Sequence, residues 1–158
     1  MRQQPIYQIP RKGLTVWRLY GLFSTLLVLI ITGIICFLTY KFEGPSLIYL
    51  IVALIVLLVL IGSIWIPKIR WNHWRYEVRE HEIEIQNGLF IVKRTLIPMV
   101  RVQHVDTAQG PILKKYDLSN ISISTAATTH IIPMLITEDA DRLRSRISEL
   151  ARVAEDDV

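Results

Sequence analysis

Two stretches free of charged residues constrain this chain more than anything else in it. Leu19 to Tyr40, "LYGLFSTLLVLIITGIICFLTY", holds thirteen Leu, Ile, Val or Phe residues, and Pro45 to Ile66, "PSLIYLIVALIVLLVLIGSIWI", holds fifteen. A helix needs about 20 apolar residues to cross a hydrocarbon core, and each such residue favours insertion by roughly 0.3–0.6 kcal/mol. Only "KFEG" separates the two stretches, so they are predicted to form a tight transmembrane hairpin, 19–40 and 45–66. A cleaved leader is excluded for the first, because its apolar run outlasts a signal h-region and lacks a small-x-small site before Lys41. A buried helix pair of a soluble protein would keep a polar face, and these do not.

Charge is distributed unevenly around the hairpin. Residues 1–66 carry a net charge of +4, whereas residues 67–158 carry 13 basic and 13 acidic side chains. The basic balance therefore belongs to the membrane flank, and no nucleic-acid partner is expected, since such a domain needs a basic face of its own. Arg11, Lys12 and Arg18 precede the first span, Lys68, Arg70 and Arg75 follow the second, and the connecting loop offers one Lys against one Glu. The positive-inside rule then predicts both termini in the cytoplasm of a cell-membrane protein. Trp17 with Arg18, and Trp65, Lys68, Arg70, Trp71, Trp74 and Arg75, are the expected membrane-interface anchors, the indoles at headgroup level and the cations against anionic lipid. The single Cys36 lies within a span and excludes a disulfide framework.

Five segments follow: a cytoplasmic N-terminal segment (1–18), the hairpin (19–66), a juxtamembrane linker (67–75), a domain (76–153) and an acidic tail (154–158). In the domain, "YEVREHEIEIQNGLFIVKRT" alternates as strands do, with Ile83 and Ile85 on one face and Asn87-Gly88 as the hairpin turn. "LSNISISTAA" places Ile121, Ile123 and Thr125 on one side of a strand and Ser122 and Ser124 on the other. "THIIPMLI" reads as a last strand whose Pro133 marks an edge or a bulge. Thr137 is a candidate N-cap, and Ala140, Leu143, Ile147, Leu150 and Ala151 form the apolar stripe of a closing helix. Strands followed by one helix give an α+β class, a small antiparallel β-barrel or sandwich plugged by that helix.

The stretch "RVQHVDTAQGPILKKYDL", 101–118, is the most chemical in appearance. Val100 and Val102 share a face in regular alternation, and restoring Val105 to that face needs a β-bulge near Gln103-His104. His104 and Asp106 lack a neighbouring nucleophile, so no catalytic set is expected. His73, His81, His104 and His130 lack the short pairings of zinc sites, and no cofactor loop is present, so neither metal nor cofactor is expected. Lys93, Arg94, Lys114 and Lys115 are candidates for headgroup contact, in competition with an ordinary solvated face in which Glu77, Glu80, Glu82 and Glu84 pair with the cations.

"WRYEVREHEIEIQNGLF", "TLIPMVRVQHVDTAQGPILKKYDLSNISISTA" and "ADRLRSRI" resemble the bacterial pleckstrin-homology-like family of membrane-flanked domains, in particular its small members with a two-span N-terminus. The resemblance covers nearly the whole chain. It implies a seven-stranded, strongly bent antiparallel barrel capped by a C-terminal helix. It also implies a non-catalytic interaction module, acting as a homo-oligomer or beside a larger membrane protein that carries several copies of the domain. Ile97, Pro98, Arg101, Val102, Gln103, Val105, Asp106, Gln109, Gly110 and Pro111 match the family's motif, while Ala127 stands where a Gly is usual. Arg101, Gln103, Asp106 and Gln109 are the polar residues of that motif, placed either to brace the barrel or to face a partner.

Overall fold

The computed structural model describes residues 4–156. The chain divides into two compact units, residues 17–69 and a second unit in which the segment up to Val16 joins Arg70 and everything after it. Helices α1 (Arg11–Lys41) and α2 (Leu47–His73) both outrun the predicted spans, and Pro67 sits inside α2 without ending it. The linker expected at 67–75 is thus helical as far as His73.

In the first unit the large apolar side chains of both helices point outward; Leu22, Phe37 and Leu50 are all about two-thirds exposed, at 65%, 64% and 69%. That arrangement suits a lipid solvent and would be ruinous in water. Within the apolar run of α1 the buried residues are instead Thr25, Thr32 and Thr39, which recur every seven positions and so share a face. Each hydroxyl donates to the carbonyl four residues back, Gly21, Val28 and Ile35, at 2.9, 2.8 and 2.8 Å. Small side chains whose polar atoms are satisfied within their own helix let a neighbouring helix approach closely inside a bilayer. The α1–α2 loop closes through Gly44 N–H to Thr39 O (2.8 Å), with Glu43 in the left-handed region at φ 51°.

The second unit holds two antiparallel sheets. The first runs β1 (Tyr7–Gln8), β2 (Arg75–Val78), β3 (Glu82–Gly88), β4 (Val92–Pro98) in spatial order, and the second runs β5 (Val102–Ala108), β6 (Leu118–Thr125), β7 (Thr129–Ile136). A 3-10 turn, Met99–Arg101, leads from β4 to β5, a short helix α3 (Pro111–Lys115) joins β5 to β6, and α4 (Thr137–Asp156) closes the chain. The α+β class and the order of strands before the closing helix agree with the expectations, and the seventh strand is supplied by β1. Ile83, Ile85, Ile97, Met99, Leu118, Ile121, Ile123, Ile132 and Leu135 form the core, and Ala140 and Ile147 bring the predicted stripe of α4 down onto it.

Strand β1 comes from the segment that sequence patterning left outside the domain. Tyr7 pairs with Tyr76 and Gln8 with Arg75, while Pro5 and Ile9 are fully buried. Gly13, in the first turn of α1, has the Ile9 side chain and the Met134 Cβ so near that a Cβ of its own would lie 2.8 and 3.1 Å from them. A domain beginning at residue 76 would lack this strand and its core residues.

Other expectations are corrected locally. Asn87 and Gly88 are the last paired residues of β3, facing Lys93 and Val92, and the turn is made by residues 89–91. Gly88 has φ 153°, and a Cβ there would lie 2.0 Å from Ile91 O, so the residue read as turn chemistry is in fact needed for a close backbone crossing. Val100 falls in the 3-10 turn and is exposed rather than sharing an inward face with Val102. Gly110-Pro111 opens α3, with proline at the first helical position.

Both irregularities anticipated in the strands are present. The β5–β6 register shifts between Val102 and His104. The β6–β7 register shifts opposite Pro133-Met134, on a strand that is also a sheet edge. There Met134 takes φ 56°, and its N–H donates to Asn120 Oδ1 at 2.9 Å. Ala127 lies in the turn after β6 and is not among the left-handed residues, so this turn does not require the family's usual glycine.

Burial distinguishes the two isoleucines that flank β1. Ile9→Ala should destabilise the second unit by about 2–5 kcal/mol, the range for deleting a fully buried side chain, whereas Ile6→Ala, at a position 71% exposed, should stay within about 0.5 kcal/mol of wild type. Equilibrium unfolding of the full chain in detergent, followed by tryptophan fluorescence, measures both.

Candidate interaction surface

Where β4 ends and β5 begins, the two sheets leave a groove of about 480 Å³. Leu96, Pro98 and Val100 line one side, Arg101 and Gln103 another, and the β6–β7 turn with His130 a third. Leu96 and Val100 are 42% and 51% exposed, so the groove presents apolar surface to solvent beside polar groups. The 3-10 turn and the bulge at Val102/His104 create this arrangement, because they break the alternation that would have turned Val100 inward.

The four polar motif residues separate into two kinds. Arg101 and Gln103 are exposed members of the groove. Gln109 braces the fold: its Nε2 donates to Leu118 O at 2.9 Å and to Thr137 Oγ1 at 3.0 Å. Ser119 Oγ, on a buried residue, donates to the same hydroxyl at 3.2 Å, so Thr137 ties the start of α4 to β6 and to the end of β5. Asp106 is exposed on β5. From α4, Arg144 Nη1 reaches Thr107 Oγ1 at 3.2 Å and fixes the helix across that strand.

The basic residues expected at a headgroup site are divided between the sheets. Lys93 and Arg94 are neighbours on β4, at the edge of the first sheet, while Lys114 and Lys115 stand exposed on α3, beside the second. Arg94 is already committed: its Nε donates to Gln86 Oε1 at 2.9 Å and its Nη1 lies 3.8 Å from Glu84 Oε1. Glu84 and Gln86 are only 3% and 4% exposed, although strand alternation opposite Ile83 and Ile85 predicts both in solvent. Arg79 completes the cluster, with Nη2 3.0 Å from Glu77 and 3.3 Å from Glu84, and Nη1 2.9 Å from Glu82. Hydrogen bonds to Glu77 and Glu82 raise the Arg79 pKa further, and the bond from Arg79 is the main reason the Glu77 carboxyl falls below its usual value. A buried carboxylate needs such partners, since left alone it would carry the full penalty of desolvation.

The anchor residues also part company. Arg18, Trp65 and Lys68 are exposed, as is Arg70. Trp74 is 4% and Trp17 8% exposed, so both indoles are enclosed by protein, and Trp74 belongs to the core of the domain. Trp71 Nε1 donates to Ile9 O at 2.9 Å, and Gln8 Nε2 donates back to Trp71 O at 3.1 Å, which joins the N-terminal segment to the end of α2. Arg75 is half-buried in β2. Aromatic and basic residues near a span look alike in sequence whether they face lipid or the adjoining domain. Only the strand pairing separates them.

A second groove, of about 490 Å³, is lined by Tyr7, Tyr76, Val78, Asp139, Arg142 and Arg146 with Leu143. The rings of Tyr7 and Tyr76 stack at 5.7 Å. Burial, with Asp139 and Tyr7 adding to it, pushes the Tyr76 phenol up to about 12.

The bacterial PH domain family model matches residues 24–151, from within α1 to within α4. The chain belongs to the bacterial PH domain family. This family member is 53% identical over 159 residues, the whole of both chains, to the UPF0699 transmembrane protein YdbS of Bacillus subtilis (strain 168). It is also 26% identical over 83 residues to the UPF0699 transmembrane protein YdbT of the same organism, an alignment covering 50% of this chain and 17% of that protein. No solved structure matches it. Two helices long and apolar enough to cross a membrane, together with the family match, make this a membrane-associated PH-like protein.

Alkaline and acid titration should show the two ionisable clusters separately. Because the Tyr76 pKa is raised on folding, its contribution is complete below pH 10 and is lost as pH rises through about 12. Stability should therefore fall across that interval, and Tyr76→Phe should flatten that part of the profile in pH-dependent unfolding. Glu77 is shifted the other way, so its contribution is present above its unfolded value and disappears as pH falls through its lowered one. Arg79→Ala should move the acid unfolding transition to higher pH in the same experiment.

Proposed function

We propose that this protein is a non-catalytic adaptor of the cytoplasmic membrane. Its hairpin holds the PH-like domain on the cytoplasmic side with both termini inside, and the domain assembles with another copy or with a larger membrane protein bearing related domains. The observation that carries the reading is the groove at the β4–β5 junction, where exposed Leu96 and Val100 adjoin Arg101 and Gln103. Apolar surface with an arginine and an amide at its side is what a protein partner can bury and register. Strands β4, β5 and β7 are sheet edges, which offers main-chain pairing as a second means of attachment. Similarity to a short portion of the longer YdbT supports a larger relative as one partner. Anionic headgroup binding through Lys93, Arg94, Lys114 and Lys115 is the less favoured reading, because Arg94 is engaged within the protein and the lysines stand beside different sheets.

Photo-crosslinking in native membranes tests the assembly. A benzophenone amino acid at position 100 should capture a second copy or a larger PH-like membrane protein, and the same group at Glu80 should not. Failure of positions 96, 100 and 101 to yield any adduct, with a purely monomeric protein in mild detergent, would overturn the reading. For orientation, a cysteine placed in the loop at residues 42–46 should react with a membrane-impermeant maleimide on intact cells, while one at Arg152 should react only after lysis.

A further inference from the structure

Phe90 and Ile91, at the tip of the β3–β4 hairpin, are 86% and 85% exposed, more than any other large apolar side chain in the domain. Val92 follows at 44%, and exposed Lys93 adjoins it. A strand continuation that ends in two bare apolar side chains has no role in the core. Gly88 holds the tip in a tight crossing that no other residue could make, so the projection is built into the backbone.

The register shows where this tip lies within the domain. Arg75, the first residue of β2, pairs with Gln86, and β3 runs on two residues to Gly88, about 7 Å further at strand rise. Beyond that level come residues 89–91. The same end of the sheet carries both connections to the helices: Gln8 pairs with Arg75 just before α1 begins at Arg11, and α2 ends at His73, whose carbonyl accepts from Gln86 Nε2 at 3.2 Å. The opposite end carries the β2–β3 turn, closed by Arg79 N–H to Glu82 O at 2.9 Å, with exposed Glu80 and His81 at its tip. Apolar residues stand at the end that the membrane helices leave, and charged ones at the other.

From these placements we infer that the β3–β4 tip is a membrane wedge, with Phe90 and Ile91 dipping into the lipid interface and Lys93 meeting anionic headgroups. Chain length holds it within reach. Between Ile66, the last residue of the second apolar run, and His73 the chain is helical, and seven residues span about 10 Å. A protein partner fits less well, because a stable interface needs roughly 1,000 Å² in total and an aromatic side chain buries only about 150–250 Å². A bilayer interface makes no such demand: amphipathic elements with a few apolar side chains and a cation bind it reversibly.

The full chain, with Cys36→Ser as background, is labelled with an environment-sensitive fluorophore at Ile91→Cys or at Glu80→Cys and reconstituted into phosphatidylglycerol–phosphatidylethanolamine vesicles. Lipids brominated near the headgroup end of their chains should quench the label at 91 several-fold more than the label at 80, and aqueous iodide should do the reverse. Both positions share one domain, so vesicle sidedness cancels from the comparison. Adding Phe90→Asp should make position 91 accessible to iodide while the melting curve stays unchanged. Equal iodide quenching at both positions overturns the inference, because the tip then stands in water. Protection of position 91 from both quenchers also overturns it, because a protein surface then covers the tip.

Discussion

Everything in the domain depends on how the chain enters and leaves it. The two helices α1 and α2 connect at the same end of one sheet, through β1 and β2, which pair side by side. A two-residue strand has little stability of its own. It is held here by burial of Pro5 and Ile9 and by the reciprocal bonds between Gln8, Trp71 and Ile9. Those interactions make the first residues of α1 and the last of α2 parts of the domain.

The same entry explains the buried polar side of β3. Ile83 and Ile85 face the core, and in an ordinary outer strand Glu84 and Gln86 would face water. Here the end of α2 meets that face, with His73 O accepting from Gln86 Nε2. Burial of a carboxylate and an amide follows from the route of the backbone, and Arg79 and Arg94 are recruited to satisfy them. Arg94 is thereby engaged within the protein.

That distinction marks how far the sequence could be read. The apolar runs, the amphipathic stripe of α4, the bulge before His104 and the broken edge at Pro133 were legible, because each is encoded in a local pattern that a few residues carry. Strand β1 was not: "PIYQIP" is too short to alternate, and its partner lies 67 residues away in Arg75. The Asn87-Gly88 pair misled for a different reason, since its usual two-residue turn gives way to a wider one at 89–91. Trp71 and Trp74 are ambiguous in sequence because lipid and a folded neighbour favour the same amphipathic side chains. For the motif residues, spacing gave a set of four without the means to divide it. The structure divides them by partner, with Gln109 holding β6 and α4 while Arg101 and Gln103 border the groove.

The motif region therefore combines two tasks in one short stretch. Its front half, the 3-10 turn and the bulged start of β5, exposes Val100, Arg101 and Gln103. Its rear half, Gln109 and α3, closes the junction through Thr137 and the buried Leu113. The bulge is what permits both: by shifting register between Val102 and His104 it turns the front residues outward while the rest of β5 stays paired with β6. A regular strand over 99–108 would bury Val100, swing Arg101 and Gln103 onto one flat face and leave no groove. The same short stretch thus carries an exposed surface at one end and a structural clasp at the other, divided by a single register shift.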